Sequence, residues 1–350
     1  MTQTKEVFDL SGVRAMIGVE QEVGENAAYL AKQPIEASEI RRFALSVEDC
    51  NPIWIDNEYA KKTKWGGILA PPAFIGCSAN TWIDIPGCDP PPFGGMYCGT
   101  EYEFFLPVRV GDKIKGKSAI YDVVEKTGKF AGPVVFLTAQ SIYTNQNDEV
   151  VRIVRGIVAK YSTATAKERG AYKGEELGEM YPPGHPGHGR KGELRARGAT
   201  PLYYEDVSIG TELPPLVRKL TIPAIVDQGG RVGIYIPHTL PGLGCWWHYI
   251  PGESWRVRGL AAPMDFGTRR DAQLGQLVTD WMGDDGWLSK LTVQIRRPIY
   301  AGDTTTWKGK VTNKYVKDNQ HFVECEIKGE NQREQISTTG NATAILPSRS

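Results

Sequence analysis

Pro107-Val108-Arg109-Val110-Gly111-Asp112 and Pro298-Ile299-Tyr300-Ala301-Gly302-Asp303 carry the same Pro-x-x-x-Gly-Asp turn, offset by 191 residues (298 − 107). The agreement continues outward. Asn145-Gln146 returns as Asn331-Gln332 after 186 residues (331 − 145), and Gly156 returns as Gly340 after 184 (340 − 156). Each copy reads as an apolar strand, the turn, two long strands joined by a polar turn, and a closing strand. A period this long marks a duplicated domain, since solenoid units run about 20–50 residues.

The rest of the composition agrees with a two-unit globular protein. At 350 residues the chain suits two domains of roughly 150 each. Its 41 basic and 41 acidic residues cancel and no basic run stands out, which argues against nucleic acid or an anionic membrane as partner. No apolar stretch is long enough to span a bilayer, and the first residues lack the apolar core of a signal peptide. Six cysteines without a C-x-x-C pair read as free thiols in a reducing compartment, with the cytoplasm as the expected location.

Residues 163–201 change character: Pro182-Pro183-Gly184-His185-Pro186-Gly187-His188 lacks apolar periodicity and reads as part of a linker between units at 1–162 and 202–350. His185 and His188 have no accompanying cysteine or carboxylate cluster, so no metal is implied. Ahead of the linker a short helix opens near Ser38, an apolar helix is expected from Pro72 to Ile83, and four β-rich segments follow. After it the order repeats, with a strand from Tyr203 to Leu213, a helix over Phe266–Met282 and four strands from Leu291 to Leu346. One long helix followed by an antiparallel meander predicts an α+β layer, the helix buried against a curled sheet.

Glu48-Asp49-Cys50-Asn51-Pro52-Ile53-Trp54 with Gly66-Gly67-Ile68-Leu69-Ala70-Pro71-Pro72 resembles the N-terminal half of the MaoC-like dehydratases. Tyr204-Glu205-Asp206-Val207-Ser208-Ile209-Gly210-Thr211, Gly259-Leu260-Ala261-Ala262-Pro263 through Gly267, and Pro298-x-x-x-Gly302-Asp303 resemble a second such unit. The resemblance, which extends to (R)-specific enoyl-CoA hydratases, implies a double hotdog: two units, each a long central helix wrapped by a curved antiparallel sheet. It also implies an acyl-CoA thioester substrate, with CoA entering as part of that substrate and no other cofactor. In that family a D-x-N-P-x-H motif places an Asp and a His on one water, and a glycine N–H near the start of the long helix polarises the thioester carbonyl.

Measured against that pattern, the N-terminal half lacks both parts. Asp49, Asn51 and Pro52 are in place, but Trp54 stands where the histidine belongs and Pro72, without an N–H, where the glycine belongs. Asp49 and Asn51 then cap a loop and Trp54 packs; alternatively this half accommodates an acyl chain along Trp54, Phe74, Trp82 and Phe93. In the C-terminal half Gly267 holds the amide-donor position, and His248, 19 residues earlier (267 − 248), is the first candidate for the motif histidine, with His238 the alternative. Leu243 replaces the expected Asp, leaving Asp265, Asp227 or Glu253 to supply a carboxylate. Asp265 reads equally as a helix cap. Trp247 flanks the histidine, and Arg258 and Arg269, with Arg256 and Arg270, could bind CoA phosphates or an acidic acyl group.

Three functions are consistent with these residues. The first is a hydro-lyase acting on an enoyl- or 3-hydroxyacyl-CoA. The second is a non-hydratase hotdog enzyme, a C–C lyase or thioesterase. The third is a catalytically silent acyl-CoA-binding subunit. Two units in one chain form the pseudo-dimer internally, and a further homodimer or a related hotdog subunit is an expected partner.

Overall fold

The duplicated turn closes through the same hydrogen bonds in both copies. Asp112 Oδ2 accepts the Arg109 N–H at 2.8 Å, and Asp303 Oδ2 accepts the Tyr300 N–H at 3.0 Å. Gln146 Nε2 donates to Asp112 Oδ1 at 3.2 Å, as Gln332 Nε2 does to Asp303 Oδ1 at 2.9 Å. Asn145 Oδ1 accepts the N–H groups of Asn147 and Glu149, and Asn331 Oδ1 those of Arg333 and Gln335. Gly111 and Gly302 sit at φ +93° and +99°, which L side chains rarely adopt, so the turn requires glycine there.

These turns belong to a computed structural model that describes residues 10–22, 33–75, 93–180, 201–231 and 253–349. Its helices in chain order are α1 (Ser11–Ala15), α2 (Ala37–Ser46), α3 (Pro52–Ile55), α4 (Asn57–Ala60), α5 (Thr163–Arg169), α6 (Ile222–Arg231), α7 (Glu253–Arg258) and α8 (Thr268–Met282). The first half contributes strands β1 (Gln21–Glu22), β2 (Phe93–Phe104), β3 (Lys115–Gly128), β4 (Gly132–Thr144) and β5 (Val150–Ser162). The second contributes β6 (Glu212–Lys219), β7 (Trp287–Ile295), β8 (Thr304–Lys317), β9 (Gln320–Asn331) and β10 (Ile336–Leu346).

The ten strands among the described residues form one sheet in the order β1-β3-β4-β5-β2-β7-β10-β9-β8-β6. The halves join where β2 pairs antiparallel with β7, Gly99 opposite Gln294 through Glu103 opposite Lys290. In the C-terminal half α8 packs against β6, β7, β8 and β10, which buries 12 of its 15 residues. Leu274, Leu277 and Val278 are almost wholly enclosed, each contributing roughly 1.5–3 kcal/mol of apolar burial. A helix buried nearly all round inside a curled antiparallel sheet is the hotdog arrangement, and the chain is α+β. Of the helix expected from Pro72 to Ile83 in the first half, residues 76–83 lie outside the described residues.

Several expectations shift. α2 is capped by Glu36, not Ser38: the Glu36 side chain and the Glu39 side chain satisfy each other's backbone N–H groups, and Ser38 Oγ donates to Glu36 at 2.9 Å. The helix therefore starts two residues earlier than a Ser38 cap would place it (38 − 36). The strand expected at Tyr203–Leu213 is a 3-10 turn at Tyr204–Asp206, with β6 starting only at Glu212. The opening of the linker is ordered: Ser162 caps α5 by accepting the Thr165 N–H, Glu175 pairs with Arg297, and Gly178 lies against Gly302. Residues 181–200, with His185 and His188, lie outside the described residues.

Candidate functional site

The two helix-entry loops can be aligned by their hydrogen bonds rather than by spacing. Ala70 N–H donates to Val108 O at 2.9 Å, and Asp265 N–H donates to Ile299 O at 3.1 Å. Leu69 bridges Arg109, and Met264 bridges Tyr300. Two residues further on in each copy stand Pro72 and Gly267, so they occupy the same place in the two units. Gly267 is the N-cap of α8, and among the described residues no acceptor takes its N–H. That amide points from the positive end of a 15-residue helix, where a developing oxyanion is favoured. Pro72 has no such donor.

In the first half the Asp49 carboxylate is 2% exposed. Its Oδ1 accepts the Asn51 N–H at 3.1 Å, and its Oδ2 accepts the Trp54 indole N–H at 3.0 Å. Asn51 caps α3 by accepting the Ile53 N–H. Trp54, at the position where the resemblance expects a histidine, only donates to Asp49 and has no basic nitrogen. A cavity of about 50 Å3 beside it is lined by Trp54, Trp65, Pro72, Phe104, Arg152 and Trp287, among others. That is far below the ~300–1,000 Å3 of an ordinary ligand pocket.

In the second half Asp265 is held by Arg270 in a bidentate pair, both oxygens at 2.7 Å, with both side chains buried. Arg270 also donates to the carbonyls of Arg297 and Ser337. This fixes Asp265 as an anchor of the helix entry, with both its oxygens engaged. Arg269 turns inward to Glu48 at 3.1 Å and to Ser46 O at 2.8 Å. Arg218 meets the same Glu48. The guanidinium groups of Arg269 and Arg270 are therefore committed inside the fold, away from a CoA phosphate. Arg258 lies against Gly94 of β2, and its carbonyl accepts the Tyr161 hydroxyl. Asp227 is in α6 and Glu253 begins α7. His238, Trp247 and His248 lie outside the described residues.

The carboxylate nearest Gly267 in the chain after Asp265 escaped the sequence reading. Asp271, four residues into α8, is fully buried, and Tyr97 and Tyr102 of β2 both donate their hydroxyls to its Oδ2, Tyr102 at 2.9 Å. Its Oδ1 takes no hydrogen bond of normal geometry among the described residues. Burial pushes the Asp271 carboxyl up to about 6, opposed by the hydroxyls of Tyr97, Tyr102 and Thr100 and by the Arg270 charge. A β-bulge between Tyr97 and Gly99 makes this cluster. It shifts the side-chain alternation by one residue, so that Tyr97 joins Thr100 and Tyr102 on the helix-facing side. Tyr97 also covers Gly267: a Cβ there would meet its ring at 2.2 Å. The available signal was an acid on a helix one turn after the donor glycine, opposite an aromatic-rich strand containing an irregular Gly.

Among the described residues no group of His, Cys, Asp and Glu could hold a metal, and no helix is long and apolar enough to cross a membrane. Residues 21–154 match the FAS1-like dehydratase domain region. A UPF0336 protein of Streptomyces avermitilis is 24% identical over 139 residues, which is 38% of this chain and 90% of that protein. A solved MaoC-like dehydratase superposes with a TM-score of 0.69 at 16% identity, covering 96% of this chain and 99% of that one. A conserved hypothetical protein of Mycobacterium tuberculosis, described as having a double hotdog fold, gives a TM-score of 0.59 at 12% identity over 94% of this chain and 96% of that one. The chain is a double hotdog protein of MaoC-like architecture, and its residues 21–154 carry the FAS1-like dehydratase pattern.

Proposed function

We propose that this protein is a hydro-lyase that adds water to, or removes it from, an enoyl- or 3-hydroxyacyl-CoA thioester, with the chemistry in the C-terminal half. The observation that carries this reading is the contrast between Gly267 and Pro72. One unit keeps, at the N-terminus of a long buried helix, an amide with no acceptor among the described residues, and the other has a proline there. Hydration puts negative charge on the thioester oxygen as the C–O bond forms at the β-carbon, and a fixed N–H at that oxygen lowers the barrier. The dehydratase pattern in residues 21–154 and the MaoC-like fold agree with this reaction class. His248, with His238 behind it, is the imidazole proposed from spacing alone. The N-terminal half, with Trp54 and Pro72 in place of the imidazole and the donor, is the proposed non-catalytic partner of the C-terminal unit. CoA enters with the substrate, and a second copy of the chain or a related hotdog subunit is the proposed protein partner in the cytoplasm.

One observation favours a second reading. Both oxygens of Asp265 are taken by Arg270, so the carboxylate first expected beside the imidazole is engaged, which favours a non-hydratase hotdog enzyme or a silent acyl-CoA-binding subunit. Incubating the purified chain with crotonyl-CoA and longer enoyl-CoAs separates the two. Loss of the enoyl-thioester absorbance without release of the free CoA thiol supports the hydro-lyase, and loss with thiol release supports a thioesterase. Binding of CoA thioesters without turnover supports the silent subunit, and neither binding nor turnover removes both. His248→Ala is the separate test of the imidazole: a fall in kcat of about 100-fold gives it a share of the proton transfer, and an unchanged kcat removes it.

A further inference from the structure

The carboxylate absent from the motif position has a substitute in Asp271, one turn after Gly267, and it is met by Tyr97 from the other half of the molecule. Tyr97 is half-buried, its ring edge lies on the Cα of Gly267, and its hydroxyl donates to Asp271. No other tyrosine hydroxyl among the described residues bonds a carboxylate at this helix entry except Tyr102, which is buried. We propose that Tyr97 and Asp271 form the proton-transfer pair of the Gly267 site, Tyr97 as the catalytic residue that meets the water and Asp271 as the positioning residue that takes up and returns its proton. The inference rests on the hydro-lyase reading above and places its acid–base group on Tyr97 and Asp271 in place of His248.

The chemistry balances without another group. The Tyr97 O–H donates to the ionised Asp271, leaving a lone pair on the phenol oxygen for a water O–H. As the water oxygen bonds to the β-carbon, its proton passes to Tyr97 and the proton of Tyr97 passes to Asp271. The π electrons of the enoyl bond move onto the thioester oxygen, held by the Gly267 N–H. The enolate then collapses: the α-carbon takes the proton from Tyr97, and Asp271 returns its proton to the phenol. Water has been added across the double bond, and both side chains end as they began.

The groups facing Asp271 are Tyr97, Thr100 and Tyr102 from β2 and Arg270 from its own helix, itself paired to Asp265. Only the ionised form accepts the proton, so activity falls as pH drops through the carboxyl's titration near 6. The test is crotonyl-CoA hydration by full-length wild type, Tyr97→Phe, Asp271→Asn and Tyr102→Phe, followed from about pH 5 to 9. Tyr97→Phe should lose about 100-fold or more in kcat with KM changed less than about threefold. Asp271→Asn should lose activity and flatten the acid limb. Tyr102→Phe removes a donor to the ionised carboxylate, so its acid limb should move to higher pH. Thermal melts of each variant check folding, and Tyr97→Phe, which deletes a single oxygen, keeps the test open if Asp271→Asn fails to fold. Full kcat with an intact acid limb in Tyr97→Phe overturns the proposal and leaves the hydro-lyase reading standing. Absence of turnover in wild type overturns both.

Discussion

Asp271 shows how one residue can carry a stability signature as well as a chemical one. Burial pushes its folded carboxyl up to about 6, above the usual carboxylate range, because it penalises the charge more than the hydroxyls offset it. A raised carboxyl stabilises the fold fully below the unfolded value and loses that contribution as pH rises through the folded one. The pH window is therefore about 4 to 6, and the size is on the order of 3 kcal/mol. Urea unfolding of wild type and Asp271→Asn at several pH values should show the wild type losing ground to the variant as pH rises across that window. A pH-independent difference would mean that Asp271 is solvated. Trp54 and Asp265 were visible as residues but their partners were not. Nothing in the local sequence states that the Trp54 indole meets Asp49, although the five-residue spacing permits it. Nor does it say that Arg270 rather than a ligand takes Asp265.

At the scale of elements, the repeated Pro-x-x-x-Gly-Asp turn is a matched pair in different surroundings. Asp303 is fully buried and also meets Arg333 at 2.8 Å, whereas Asp112 is half-buried. Asp303→Ala leaves the Tyr300 N–H, the Gln332 amide and a guanidinium without their acceptor, at a cost of about 2–4 kcal/mol. Asp112→Ala should cost about 1 kcal/mol. Chemical denaturation of both variants checks the order, and equal costs would contradict it. The turns and long strands were legible because their signals are local: a glycine at positive φ, an asparagine accepting two backbone N–H groups, β-branched runs between them. The bulge at Tyr97 was not, because register belongs to a pair of strands, and one extra residue in β2 has meaning only against β5.

At the scale of the molecule, the halves share one core and a buried charge cluster. Glu48, at φ +63°, pairs with Arg218 of β6 and Arg269 of α8, and Arg218 also donates to Glu48 O at 3.0 Å. With β2 paired to β7 and residues of both halves in a single hydrophobic cluster, we expect one cooperative thermal transition in calorimetry. Glu48→Gln would leave two guanidinium groups facing each other and cost about 3 kcal/mol. Two separated transitions in the wild type would show that the halves fold independently. The amino-acid sequence alone determined the duplication, the α+β class, the hotdog resemblance and the asymmetry between Pro72 and Gly267, since each depends on residue type and order along the chain. Only the tertiary structure decided which charges face inward and which acid lies beside the donor glycine. Those outcomes depend on distances between segments more than 160 residues apart, as Tyr97 and Asp271 are (|i−j| = 174), and on the desolvation that follows when they meet.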